Sequence, residues 1–171
     1  MKGKRIAILL ESIYEDAEFW YPYYRLKEAG AQVDAVAPEK KKYFGKYGYP
    51  AAADLSAKEA DAAKYDGVII PGGYAPDHMR RHPEMISFLK EIFDNGKVVA
   101  AICHGPWMLV SVDALKGRTV TGFFAIKDDI TNAGAEFVDR NVVRDGNVIT
   151  SRKPSDLPDF SKEILNALSE V

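Results

Sequence analysis

Apolar residues fall into short runs that end in turn-forming or polar positions. Three of them, "RIAILLES" (5–12), "GVIIPGG" (67–73) and "VVAAICHG" (98–105), are rich in Val, Ile or Leu. Such runs suit strands buried on both faces of a parallel sheet. "AQVDAVAPE" (31–39) is a weaker fourth. Helical periodicity fills the gaps over 16–29, which ends at Gly30, and over 83–94, which ends at Asn95-Gly96. Proline at a helix start and glycine just past a helix end match capping chemistry. The alternation predicts a single α/β domain, a doubly wound, flavodoxin-like sandwich with a mostly parallel central sheet and helices on both faces. "KKKYFGKYGYP" (40–50) reads as an irregular hairpin or an extended arm, its "FGKYGY" (44–49) either a surface hairpin or an assembly element. Strands at 117–122 and 141–151, the latter turning at "RDGN" (144–147), and an amphipathic helix near 156–170 complete the pattern.

A chain of 171 residues fits one domain, 1–171, because a single core serves ~100–200 residues. Its 23 Lys+Arg against 25 Asp+Glu leave no basic excess to neutralise phosphates, so nucleic acid is not an expected partner. The first apolar run is five residues long before Glu11, too short to enter a membrane, and the single cysteine cannot form an internal disulfide. A cytoplasmic location follows as the expectation. "LLESIYED" has no glycine-rich turn for a dinucleotide, and His78, His82 and Cys103 lack metal-ligand spacing, so neither cofactor nor metal is expected.

In parallel α/β sheets the chemistry lies beyond the carboxyl ends of the strands. That rule gathers three loops, 11–16, 72–78 and 103–106. Cys103, between the strand "VVAAI" and a helix beginning "GPWML", takes the tight turn that exposes a nucleophile, a nucleophile elbow. Facing the positive end of that helix, its thiol is expected at a pKa of ~3.5–7.5, with thiolate populated at neutral pH. Gly105 relieves the crowding of the reversal, and Pro106 suits the first helical turn. A free cysteine also serves as a small buried apolar group. The adjacent His104 favours the nucleophile, because it can take the thiol proton or pair with the thiolate. Gly72 and Gly73 permit close backbone approach, and the N–H groups of Gly73 and His104 are candidates for an oxyanion hole. A bare Gly-Gly also marks an ordinary turn. From the first loop Glu15 is the candidate to face the pocket, with Glu11 as the alternative, whereas Asp16 and Glu18 read as negative charges complementing a helix start. A carboxyl close to a thiolate has its pKa raised and can move protons.

These residues, with "YEDAEFWYPYYRLKEAG" (14–30), "IIPGGYAPDHMR" (69–80), "VAAICHGPWML" (99–109), "LKGRTVTGFFAIKDDITNAGAEFVD" (115–139) and "VVRDGNVITSRKPSDLPDF" (142–160), resemble the PfpI intracellular proteases. That family lies in the superfamily of the Parkinsonism-associated deglycase, whose fold is like that of class I glutamine amidotransferases. The resemblance implies an elbow cysteine at Cys103, a pocket glutamate at Glu15 and a histidine at His104. It also implies a third triad member donated by an adjacent subunit. The family has glutamate there, and this chain has Asp77, one methylene shorter, an offset of ~1 Å that bears on orientation. A homo-oligomer, dimer or hexamer, is implied as well. "HPE" (82–84) precedes the cysteine rather than following it, and reads as a helix start at Pro83.

Three functions compete on these residues. In the first, a glutathione-independent glyoxalase or deglycase converts a small carbonyl such as methylglyoxal to lactate, with Cys103 as nucleophile and Glu15 or His104 moving the proton. In the second, a cysteine peptidase cleaves a peptide with Cys103, His104 and Asp77. The third is a redox sensor or holdase of a stress response, which needs Cys103 and Glu15 but not His104.

Overall fold

The computed structural model describes residues 1–170. In chain order the elements are β1 (Arg5–Leu9), α1 (Asp16–Glu28), β2 (Gln32–Ala37), β3 (Lys42–Phe44), β4 (Pro50–Ala52), β5 (Leu55–Ser56), β6 (Gly67–Ile70) and α2 (Ala75–Met79). They continue with α3 (Pro83–Asp94), β7 (Val98–Ile102), α4 (Pro106–Ser111), β8 (Thr119–Val120), α5 (Lys127–Asn132), β9 (Glu136–Phe137), β10 (Val142–Asp145), β11 (Val148–Ser151) and α6 (Leu157–Ser169). Among the described residues one sheet runs β10-β11-β7-β6-β1-β2-β5. Its pairings are parallel except for β10 with β11.

The continuous apolar runs are the inner strands. Every residue of β6 and β7 is buried, so both faces are covered, as the absence of polar alternation requires. Helices α3 and α4 lie against β7, and so does α6, which also packs on α1. The last helix buries Leu157, Phe160, Ser161, Ile164, Ala167 and Leu168, a stripe with helical spacing. The runs overstate the strands at their carboxyl ends: β1 stops at Leu9, β6 at Ile70 and β7 at Ile102, because the last residues of each run form the loops of the site. Residues 117–122 hold only the short β8, which pairs with β9 outside the main sheet. The 40–50 segment is a hairpin of β3 and β4. It folds back onto the start of α1, since the Asp16 carboxylate accepts the N–H groups of Tyr47 and Tyr49 at 2.9 and 3.1 Å.

The three loops converge as the strand order requires. The Glu15 N–H donates to the Gly72 carbonyl at 3.2 Å, and the Tyr74 N–H to the Ile13 carbonyl at 2.9 Å. Gly73 sits at φ +75, and a Cβ there would lie 2.4 Å from the Ile13 oxygen. A Cβ at Gly105 would meet the backbone oxygens of Ile70 and Ile102 at 2.6 and 2.8 Å. Those oxygens belong to strand ends and cannot swing aside. Gly105→Ala is therefore expected to cost about 1–3 kcal/mol, measured as a lower urea midpoint with an unchanged slope.

Candidate active site

Cys103 follows β7 directly and has φ +62, a left-handed conformation in a residue other than glycine. Its N–H donates to the Ser151 carbonyl at 3.0 Å, and its carbonyl accepts the Phe123 N–H at 2.9 Å. The neighbouring strand and loop thus hold both peptide groups of the turn, and the side chain is lifted off the sheet. Cys103 is 9% exposed and lines a cavity of about 380 Å³. Backbone N–H groups of Gly73 and His104 bond to the sulfur. His104 Nδ1 stands 3.3 Å from Sγ, and its ring stacks on Phe123 with centroids 5.0 Å apart. Burial lowers the His104 pKa, which keeps the imidazole neutral and able to accept a proton.

The carboxyl beside the thiol is Glu18. Its side chain is fully buried, and Oε2 accepts the Gly72 N–H at 2.7 Å. Oε1 is buried with no hydrogen-bond partner among the described residues. The packing is close enough that a Cβ on Gly72 would lie 2.5 Å from Glu18 Oε2 and 2.7 Å from the Cys103 Cβ. Burial raises the Glu18 pKa to about 8, with the Gly72 N–H opposing the shift. Burial also pushes the Cys103 thiol up to about 12, with the Glu18 charge adding to it.

Two sequence expectations change here. Glu18 is not a charge that merely complements a helix start but the buried partner of the thiol. Residues 16 and 18 are two helical steps apart and so point to nearly opposite sides; Asp16 reaches the hairpin and Glu18 the interior. The second change concerns the thiol, which is held protonated rather than as a thiolate. The following helix α4 has only six residues, a weak positive end beside the penalty of charging a buried sulfur.

Glu15 also lines the cavity, ion-paired with Lys46 at 3.5 Å. Glu11 lies outside it, accepting the Ser12 N–H at 2.6 Å and facing His82 at 3.4 Å. His82 precedes α3, which begins at Pro83. Asp77 is on α2, half-exposed and bonded to Arg81; it is not among the cavity residues, and within one chain it does not reach His104. The sequence reading missed Lys46 and Tyr47, which the hairpin delivers to the cavity, and Lys153, which also lines it. No local pattern marks them, because their place depends on how the hairpin and the chain after β11 fold over the loops.

Residues 4–167 match the DJ-1/PfpI family. The chain belongs to that family. It is 42% identical over 164 residues to "Deglycase PfpI" of Pyrococcus furiosus, covering 96% of this chain and 99% of that protein. It is 41% identical over 164 residues to "Deglycase TK1284" of Thermococcus kodakarensis, with the same coverage. Among solved DJ-1/PfpI folds, the two-domain protein with DJ-1/ThiJ/PfpI-like and ferritin-like domains from Anabaena variabilis superposes with a TM-score of 0.95 at 47% identity. That match covers 97% of this chain, which spans 48% of the Anabaena chain. Drosophila melanogaster DJ-1beta matches with a TM-score of 0.91 at 27% identity, over 98% of this chain and 91% of its own. No helix among the described residues is long and apolar enough to cross a membrane.

The Glu18 shift fixes a sign for stability against pH. Between the ordinary carboxylate range and about 8 the folded chain keeps a proton that the unfolded chain has released. Stability therefore falls as pH rises through that window. Glu18→Gln keeps the shape without the charge and is expected to flatten the fall, read as urea midpoints from about pH 5 to about pH 9.

Proposed function

We propose that this protein is a cysteine-dependent enzyme acting on reactive carbonyls, a deglycase or glyoxalase that needs no cofactor. The observation that carries the reading is the Glu18 carboxyl, buried against Cys103 with one oxygen unpartnered. The names of the relatives at 41–42% identity support it. At neutral pH this carboxyl is mostly protonated, so it can act first as an acid and, once its proton is given up, as a base.

On a 2-oxoaldehyde, Sγ adds to the aldehyde carbon as the C=O π bond breaks. The thiol proton passes to His104 Nδ1, and Glu18 gives its proton to the new oxygen, which the N–H groups of Gly73 and His104 face. The product is a hemithioacetal. Glu18, now a carboxylate, removes the proton on that carbon and returns it to the neighbouring one, while the hydroxyl proton moves between the two oxygens. A 2-hydroxy thioester remains on sulfur, water cleaves it to the 2-hydroxy acid and the free thiol, and the proton held by His104 returns to the Glu18 carboxylate to restore the starting site. An early glycation adduct enters the same sequence when Sγ displaces the amine, which leaves with a proton. Glu15, ion-paired with Lys46, supplies charge to the cavity wall rather than the moving proton.

Peptide hydrolysis has less support, since Asp77 is engaged by Arg81 away from His104. The test is lactate formation from methylglyoxal with a fluorogenic peptide offered in parallel. Cys103→Ser is expected to abolish lactate, and Glu18→Gln to lower kcat by about 10²–10⁴-fold. Glu15→Gln should cost less than about 10-fold, as loss of a partly exposed ion pair does. Full activity in Glu18→Gln, or Cys103-dependent peptide cleavage without lactate, would overturn the reading.

A further inference from the structure

The rim of the cavity carries a charge that the chemistry above does not use. Lys46 is ion-paired with Glu15. Lys153, which lines the same cavity, is exposed, and its ammonium has no hydrogen-bond or ion-pair partner among the described residues. Its neighbour Arg152 is fully engaged, with Asp139 at 2.7 Å and with Asp156 at 2.9 and 3.1 Å. The difference lies in what stands beside each: the two aspartates take the Arg152 guanidinium, whereas Lys153, in extended chain at φ −167 and ψ 169, meets no carboxylate among the described residues and borders the thiol cavity. Lys153 and Phe123 also line an adjoining cavity of about 410 Å³, so the ammonium stands on the rim shared by two hollows.

The charges on the wall of the thiol cavity do not cancel. Glu15 offsets Lys46, burial keeps His104 neutral, and the Glu18 carboxyl holds its proton near neutral pH. The Lys153 ammonium is left over. One lysine balances one carboxylate, whereas a phosphate dianion is ordinarily met by several donors.

We propose that Lys153 reads the charge of the substrate: the carbonyl reacts at Cys103 while a carboxylate on the same molecule is held by the Lys153 ammonium, so that carbonyl adducts bearing a carboxylate are favoured over neutral ones. The substrate class rests on the deglycase reading; the attraction of anions to the rim does not.

The two parts are separated by using the only cysteine of the chain as its own reporter. Iodoacetate and iodoacetamide alkylate a thiol with nearly the same shape and differ in charge. At low salt the ratio of their rates at Cys103 is expected to fall about 2–5-fold in Lys153→Gln and further in Lys153→Glu, the differences shrinking as salt is added. In a second arm, kcat/KM for the methylglyoxal adduct of N-acetylcysteine relative to that of its amide should fall in the same order. An alkylation ratio unchanged in both variants overturns the proposal. A falling ratio with no turnover of either adduct upholds the anion-reading rim and defeats the deglycase reading instead. Stronger protection of Cys103 by inorganic phosphate than by acetate, lost in Lys153→Gln, overturns the choice of a carboxylate.

Discussion

The site depends on the backbone reversal at Cys103. A residue with a side chain at φ +62 costs on the order of 1–2 kcal/mol and persists only where its surroundings overdetermine it. Here the Ser151 carbonyl takes its N–H and the Phe123 N–H takes its carbonyl, so β11 and the chain after β8 clamp the turn from two directions. Gly105 allows the chain to leave past the strand ends, where a methyl would collide with two carbonyl oxygens. Gly72 and Gly73 lack side chains where a Cβ would meet Glu18 and Cys103 or the backbone of the first loop, so the second loop can approach the sulfur. The small residues are the price of bringing three loops within bonding distance.

That crowding also sets the electrostatics. The carboxyl is fully buried and the thiol nearly so, and burial outweighs the donors that favour their charged forms, namely the N–H groups of Gly72, Gly73 and His104. The resting pair is proton-rich. Its donors are fixed in place, the Gly72 N–H toward the Glu18 carboxyl and the N–H groups of Gly73 and His104 toward the sulfur, and preorganised dipoles of this kind favour negative charge that develops beside them. The neutral His104 supplies the acceptor that a protonated thiol needs. A helix end of six residues does not suffice to ionise a sulfur so enclosed, and the arrangement substitutes proton transfer within the site for a standing thiolate.

Much of the fold was legible because each inner strand is a continuous apolar run and each helix start or stop has a local chemical cause. Pro83 opens α3 where it was expected, and Gly30 lies just beyond α1. The loop cluster was legible too, since strand ends in a parallel sheet must lie on one edge. The glutamate was not. Glu15, Asp16 and Glu18 form a short acidic stretch at a helix start, a place where negative charge is stabilising in any fold. Nothing local tells which of the three will be covered, and the covering atoms come from residues 72–73 and 103.

The apolar periodicity, the Gly-Gly and the Cys-His-Gly-Pro turn determined by themselves the α/β class, the elbow and the identity of the sulfur. These are properties of neighbouring residues, and backbone sterics with hydrophobic burial act on them directly. Which carboxyl faces the thiol, whether the thiol is charged, and which lysine stands free at the rim were decided by tertiary structure. Each of those depends on what lies across space from the residue: the loops that bury Glu18, the enclosure that opposes a thiolate, and the aspartates that occupy Arg152 and leave Lys153 unpaired. Solvent exclusion and ion pairing act between residues far apart in the chain, and no pattern along it records them.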